Sequence, residues 1–177
     1  MQFSSLALMV AALPAAFAFP SYKIPVGLSR ILLANSADAA CTYPESFEIQ
    51  NFQTLTPTGG NDSTVDIHFG FFDQSTNIQT TCQRNATSKN VGKPNLAPRW
   101  ACDNSLVEFI WQSPKLTMLE VACPGTTGTN RWEAAGSAVP NLTCAAASCN
   151  STGYVSQCVS SVPSIQRNFT SIQPTPP

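Results

Sequence analysis

The sequence predicts an all-β fold, a single antiparallel β-barrel or sandwich stapled by disulfides, and three observations lead there. Val65, Ile67, Phe69 and Phe71 alternate with Asp66, His68, Gly70 and Phe72 over Thr64 to Phe72, a period of two that marks a half-buried strand. Further short apolar runs follow at close intervals, separated by Gly, Pro, Asn, Asp and Ser. All seven cysteines lie beyond an apolar N-terminal leader, the arrangement of a chain that oxidises outside the cell.

Taken in order, Leu6 to Ala18 is almost wholly apolar and ends in Ala16-Phe17-Ala18, an A-x-A site before Phe19-Pro20. This reads as a secretory signal peptide over 1–18, too short to span a membrane, which takes about 20 apolar residues. Residues 19–40 form a lead-in in which Leu28, Ile31 and Leu32 fall at helical spacing, which reads as one short helix or a loosely packed segment. The barrel domain is placed at 41–158. Its first strand carries Phe47, Ile49, Phe52 and Leu55 and breaks or bulges near Asn51. The loop Thr56 to Ser63 is turn chemistry throughout. After the strong Thr64 to Phe72 strand, Ile78, Thr80 and Cys82 continue the alternation and turn Cys82 inward. Leu106 to Trp111 and Leu116 to Cys123 read as a hairpin around Gln112 to Lys115, apolar enough to be central. Arg131 to Ala135 and Asn141 to Ala145 are weaker strands, and 159–177 reads as a Ser/Pro-rich flexible tail.

Composition excludes several functions. Only 11% of the 177 residues are Asp, Glu, Lys or Arg, against about 25% in an ordinary soluble domain. Ser and Thr, 36 residues together, supply the polar surface instead. The nine basic residues are scattered singly and form no stripe for a phosphate backbone, so nucleic acid is not an expected partner. One histidine excludes a His-rich metal site, and no cofactor motif is present.

Sequons at Asn61, Asn85, Asn141, Asn150 and Asn168 lie outside the apolar runs, where glycans would project into water. Cys82, Cys102, Cys123, Cys144, Cys149 and Cys158 are expected in disulfides. Six cysteines allow 15 connectivities, and proximity favours Cys82 with Cys102, then Cys123 with Cys144 and Cys149 with Cys158. Cys41 is then left over, as an intermolecular bridge or a free thiol.

Three sets of residues invite a chemical reading. His68 beside Asp66 has the pairing of an activated base, but i, i+2 neighbours on one strand are ordinary surface partners and no nucleophile motif accompanies them. Among Asp66, Asp73, Glu108, Glu120 and Glu133, the residues Glu108 and Glu120 stand on two arms of one hairpin, where a glycosidase carboxyl pair can lie, but such acids read first as strand-face charges pairing with the few Lys and Arg. Trp100, Trp111 and Trp132 read first as core. Phe72 points away from the main apolar face, and with His68 it is the candidate contact surface.

The F-E-I-Q-N-F strand (Phe47 to Phe52), Cys41 soon after the leader, T-T-C-Q at Cys82, W-A-C-D-N (Trp100 to Asn104), V-E-F-I-W and L-T-M-L-E, with the M-Q-F-S-S start, resemble the Alternaria alternata major-allergen-like family of fungal small secreted proteins. The resemblance covers about Cys41 to Cys123. It implies an antiparallel β-barrel without established catalytic activity, with allergen, elicitor or effector behaviour. The partners it implies are a host extracellular protein or a small apolar or phenolic ligand. It also implies a disulfide between Cys82 and Cys102, and a homodimer joined through Cys41. The chain departs from the family after Cys123, where the Cys144, Cys149, Cys158 cluster stands. The resulting expectation is a secreted, glycosylated, non-catalytic fungal binding protein that spans no membrane. A small wall-polysaccharide hydrolase and a passive wall or matrix component are the alternatives.

Overall fold

A computed structural model describes residues 42–61, 64–122, 132–147 and 153–174. The signal peptide, the lead-in read as a short helix or a loosely packed segment, Cys41, Cys123, Cys149 and Asn150 lie outside the described residues. Within them the chain is all β, as the alternation predicts, and forms two antiparallel sheets rather than a closed barrel.

The first strand, β1 (Ser46–Pro57), is long and changes partners halfway. Phe47 and Ile49 face inward, and after Asn51 the inward set becomes Phe52 and Thr54. Asn51 adopts a positive φ of 52°, which Asn tolerates better than most residues, and its N–H donates to the Pro163 carbonyl at 2.8 Å. The register with β2 (Asp66–Asp73) shifts between Gln50 and Gln53. This is the break expected near Asn51, a bulge that bends the strand. On the opposite edge the first half of β1 pairs with β10 (Ser164–Asn168) and the second half with β9 (Tyr154–Ser160). Outside these, β3 (Ile78–Arg84) pairs with β2 and β8 (Leu142–Ala146) with β9.

The second sheet runs β11 (Ser171–Pro174), β7 (Trp132–Ala138), β6 (Lys115–Ala122), β5 (Val107–Gln112), β4 (Trp100–Ala101). The expected hairpin is present, with Gln112 opposite Lys115.

Between the sheets lie Phe47, Ile49, Phe52, Ile67, Phe69 and Phe71 from one side and Val107, Phe109, Leu116 and Met118 from the other, all sealed from solvent. Phe69 meets Phe109 edge-on at 5.1 Å and Phe52 at 5.6 Å, so aromatic contacts run across the layers. Trp111 is buried in this core and Trp100 half-buried against it, as expected, and Trp132 is also buried. Gly136 makes room on β7: a Cβ there would stand 2.6 Å from both the Asn168 carbonyl and Phe47.

Two expectations are corrected. The segment from Val159 onward is not a flexible tail up to Pro174. It completes β9 and supplies β10 and β11, with Ile165 and Phe169 buried. Ser and Gln there face water while Ile165 and Phe169 fill the core, so isolated apolar residues suffice once β1 and β7 supply the hydrogen-bond ladders. The second correction concerns the cysteines. Cys82 bonds Cys102 as expected, but Cys144 bonds Cys158, so the pairings Cys123 with Cys144 and Cys149 with Cys158 do not form. Cys144 and Cys158 are direct partners in the β8–β9 register, and that geometry overrides shorter sequence separation.

Candidate functional site

The outward face of β2 carries Asp66, His68, Gly70 and Phe72, because its neighbours Ile67, Phe69 and Phe71 are taken by the core. Strand pairing brings a row of side chains alongside each. Phe72 lies between Glu48 of β1 and Gln79 of β3, and Glu48 is in turn opposite Gln166 of β10. Phe72 is therefore half-buried beside a groove of about 610 Å³, lined also by Glu48, Gln74, Gln166, Arg167 and Asn168. Ser164 Oγ donates to Glu48 Oε1 and holds that carboxylate at the groove.

His68 is exposed between Gln53 and Gln83, in a smaller hollow of about 250 Å³ shared with Leu55, Asp66 and Asn85. The Asp66 carboxylate accepts a hydrogen bond from the Tyr154 hydroxyl, which holds the phenol proton and pushes the Tyr154 pKa up. Asp66 is thus engaged by β9. The structure places Phe72 and His68 on one sheet face but in two separate depressions.

The acidic residues sort by face. Glu108 is opposite Leu119, and Glu120 is opposite Val107, so they occupy opposite sides of the same hairpin. Glu108 faces outward and Glu120 is sealed in the core. The carboxyl pair that the alternative hydrolase reading requires is therefore not formed, because only residues of the same face can converge across a strand pair.

On the outer side, Arg99 is the centre of a polar clamp. Its guanidinium donates to both Glu133 oxygens, at 2.6 and 3.4 Å, and stands 3.6 Å from Glu108. Gln173 from β11 closes the cluster, its Nε2 donating to Glu133 Oε1 at 3.3 Å. The hydrogen bonds to Glu133 raise the Arg99 pKa, while burial pushes Glu108 up against the opposing pull of Arg99. With Glu133 almost buried, this is a clamp fastening the chain before β4 onto the second sheet.

Inside, Glu120 is the one group among the described residues whose protonation departs strongly. Burial, followed by the neighbouring Asp73 charge, pushes it up to about 8, with Thr76 acting the other way. The signal for this residue was in the sequence. In Leu116-Thr117-Met118-Leu119-Glu120, alternation puts Glu120 on the side of Leu116 and Met118.

Four of the five sequons have their asparagine described, and Asn61, Asn85, Asn141 and Asn168 are all exposed. Asn85 Oδ1 accepts from the N–H and hydroxyl of Thr87, 2.9 and 2.7 Å away, forming a tight turn.

The architecture defines a two-sheet antiparallel β protein with a disulfide between its layers. Two crystal structures of the Alternaria alternata major allergen Alt a 1 are similar to this chain in fold. One is 15% identical, covers 75% of this chain and 95% of its own, and has a TM-score of 0.47. The other is 15% identical, covers 76% and 92%, and has a TM-score of 0.48. No family model and no curated protein matches the chain.

Proposed function

We propose that the chain is a secreted, glycosylated, non-catalytic binding protein, of allergen or effector type, that recognises a small phenolic ligand or a host extracellular protein through the outer face of β2. The observation that carries this reading is Phe72, an aromatic ring held beside an open groove with Glu48, Gln166 and Arg167 around it. An aromatic floor with a few fixed polar groups suits a phenol, which offers a ring to stack and hydroxyls to pair. Two disulfides among the described residues and exposed sequons support an extracellular setting.

The test is equilibrium binding of mature wild type and Phe72→Ser to a panel of plant phenolics and to fractionated host extracellular fluid. Saturable wild-type binding that falls at least tenfold in Phe72→Ser, with the fold intact by circular dichroism, is expected. Absence of binding in wild type, or equal binding by both proteins, overturns the assignment. Cys41 is proposed as the subunit bridge of a homodimer. Non-reducing electrophoresis should show a dimer in wild type and a monomer in Cys41→Ser, and a monomeric wild type rejects it.

A further inference from the structure

Asp73 ends β2 in the first sheet and Glu120 belongs to β6 in the second, yet both side chains are turned into the interface between the sheets, and both are 0% exposed. Asp73 Oδ1 is fully occupied by its own turn: it accepts from the Ser75 N–H at 2.6 Å, from the Ser75 hydroxyl and from the Thr76 N–H at 3.3 Å. Asp73 Oδ2, both Glu120 oxygens and the Thr76 hydroxyl are buried without a hydrogen-bond partner. Asp73 and Thr76 are the polar groups adjoining the Glu120 carboxyl.

Two bare carboxylates in this position would be prohibitive, since each buried charge needs a counter-charge or donors. The elements packed around Glu120 offer no cation among the described residues. Its opposite neighbours are Val107 on β5 and Ala134 on β7. The remaining carboxylates of those strands, Glu108 and Glu133, are turned to the outer face of the sheet with Arg99. Glu45 reaches the cluster only through its backbone N–H, which donates to Ser75 Oγ. One arrangement satisfies all four orphaned atoms: a proton on one carboxyl is donated to the other, and the Thr76 hydroxyl donates to the remaining Glu120 oxygen. Three donors already converge on Asp73 Oδ1, so the geometry places the proton on Glu120, with Asp73 Oδ2 as its acceptor.

We propose that Glu120 and Asp73 share a single proton across the interface, a latch between the two sheets that is closed in acid and opens as the medium turns alkaline. On opening, the proton passes to solvent and two buried carboxylates repel each other. The sign follows from linkage. Glu120 is held well above the ordinary carboxyl range in the folded chain, so its contribution to stability is complete below the unfolded-state value of 4.5. That contribution is lost progressively as pH rises toward about 8, because unfolding releases a proton throughout that window.

The test compares denaturant unfolding of wild type and Glu120→Gln, whose amide still donates to Asp73 Oδ2 but cannot ionise, between pH 5 and pH 8. The wild-type unfolding constant should climb relative to the variant by about tenfold per pH unit, and by on the order of a few hundredfold in total. Infrared titration of wild type alone provides a second reading independent of whether the variant folds. A carbonyl band from a protonated carboxylic acid should persist at pH 7 and disappear above the upper end of the window. Parallel pH dependences in the two proteins, or no protonated band at pH 7, overturn the proposal. So does a wild type that calcium stabilises at pH 8 and the variant does not, since a cation would then occupy the place of the proton.

Discussion

Cys82 and Cys102 join β3 of one sheet to the chain just after β4 of the other and are buried, whereas Cys144 and Cys158 face each other across a single hairpin near the surface. The loops they close are similar in length, 20 and 14 residues in sequence separation, so chain entropy assigns both about 3 kcal/mol. Their surroundings differ. Around Cys82 the neighbours are core aromatics, and Asp103 and Asn104 donate to Thr81 and Thr80 of β3, covering that sheet edge. Around Cys144, four of five β8 residues are exposed, and β8 is itself an edge of its sheet. A cross-link between layers guards the cooperative core, and one within a hairpin guards an arm.

The largest effect tests the layer contact itself. Phe69→Ala removes the ring that meets Phe52 on β1 and Phe109 on β5, and about 3–5 kcal/mol of stability should be lost in equilibrium urea unfolding. A loss below about 1 kcal/mol would mean that the two sheets do not depend on one shared core. Next, the double variant Cys82→Ser, Cys102→Ser should lower stability by about 3 kcal/mol in the same assay. Arg99→Ala ranks third. It leaves the Glu133 carboxylate almost buried without its cation, and about 1–2 kcal/mol is expected after allowing for the partly exposed guanidinium. Glu133→Gln in the Arg99→Ala background should recover part of that loss, and no recovery would mean that the clamp acts through packing alone.

Much of the core was legible because alternation is a local signal. Val65 to Phe71 announced their own strand, and the same parity carried Cys82 inward to the residue it bonds. Phe72, the outward aromatic, was found the same way. What escaped was decided by partners distant in sequence. Ser164–Asn168 offers one buried residue, Ile165, and Ser171–Pro174 offers Ile172, too few for a period to show; they become strands because β1 and β7 present unfilled ladders. The Cys144–Cys158 bond likewise follows from hairpin register, which the short polar runs around it do not reveal. The two halves of the buried acid pair were visible as residues, but their meeting required knowing that β2 and β6 lie in facing sheets.

The smallest effect separates topology from loop length most sharply. For Cys144→Ser, Cys158→Ser, loop closure alone predicts nearly the same loss as for the inter-sheet pair. That reckoning assumes that the native state gains no freedom when the bond is absent. Here β8 is an exposed edge strand while β9 is half-buried and held by β1 on its other side, so without the bond β8 can part from β9 while the core between the sheets stays packed, and the native ensemble recovers much of the entropy released to the unfolded chain. Global stability should therefore fall by less than about 1 kcal/mol, while amide exchange quickens selectively over Leu142–Ala146 and the β9 residues opposite. A loss equal to that of the Cys82–Cys102 pair, with exchange rising uniformly, would show that the arm unfolds only with the whole domain. In that case loop length would be the governing term for both bonds.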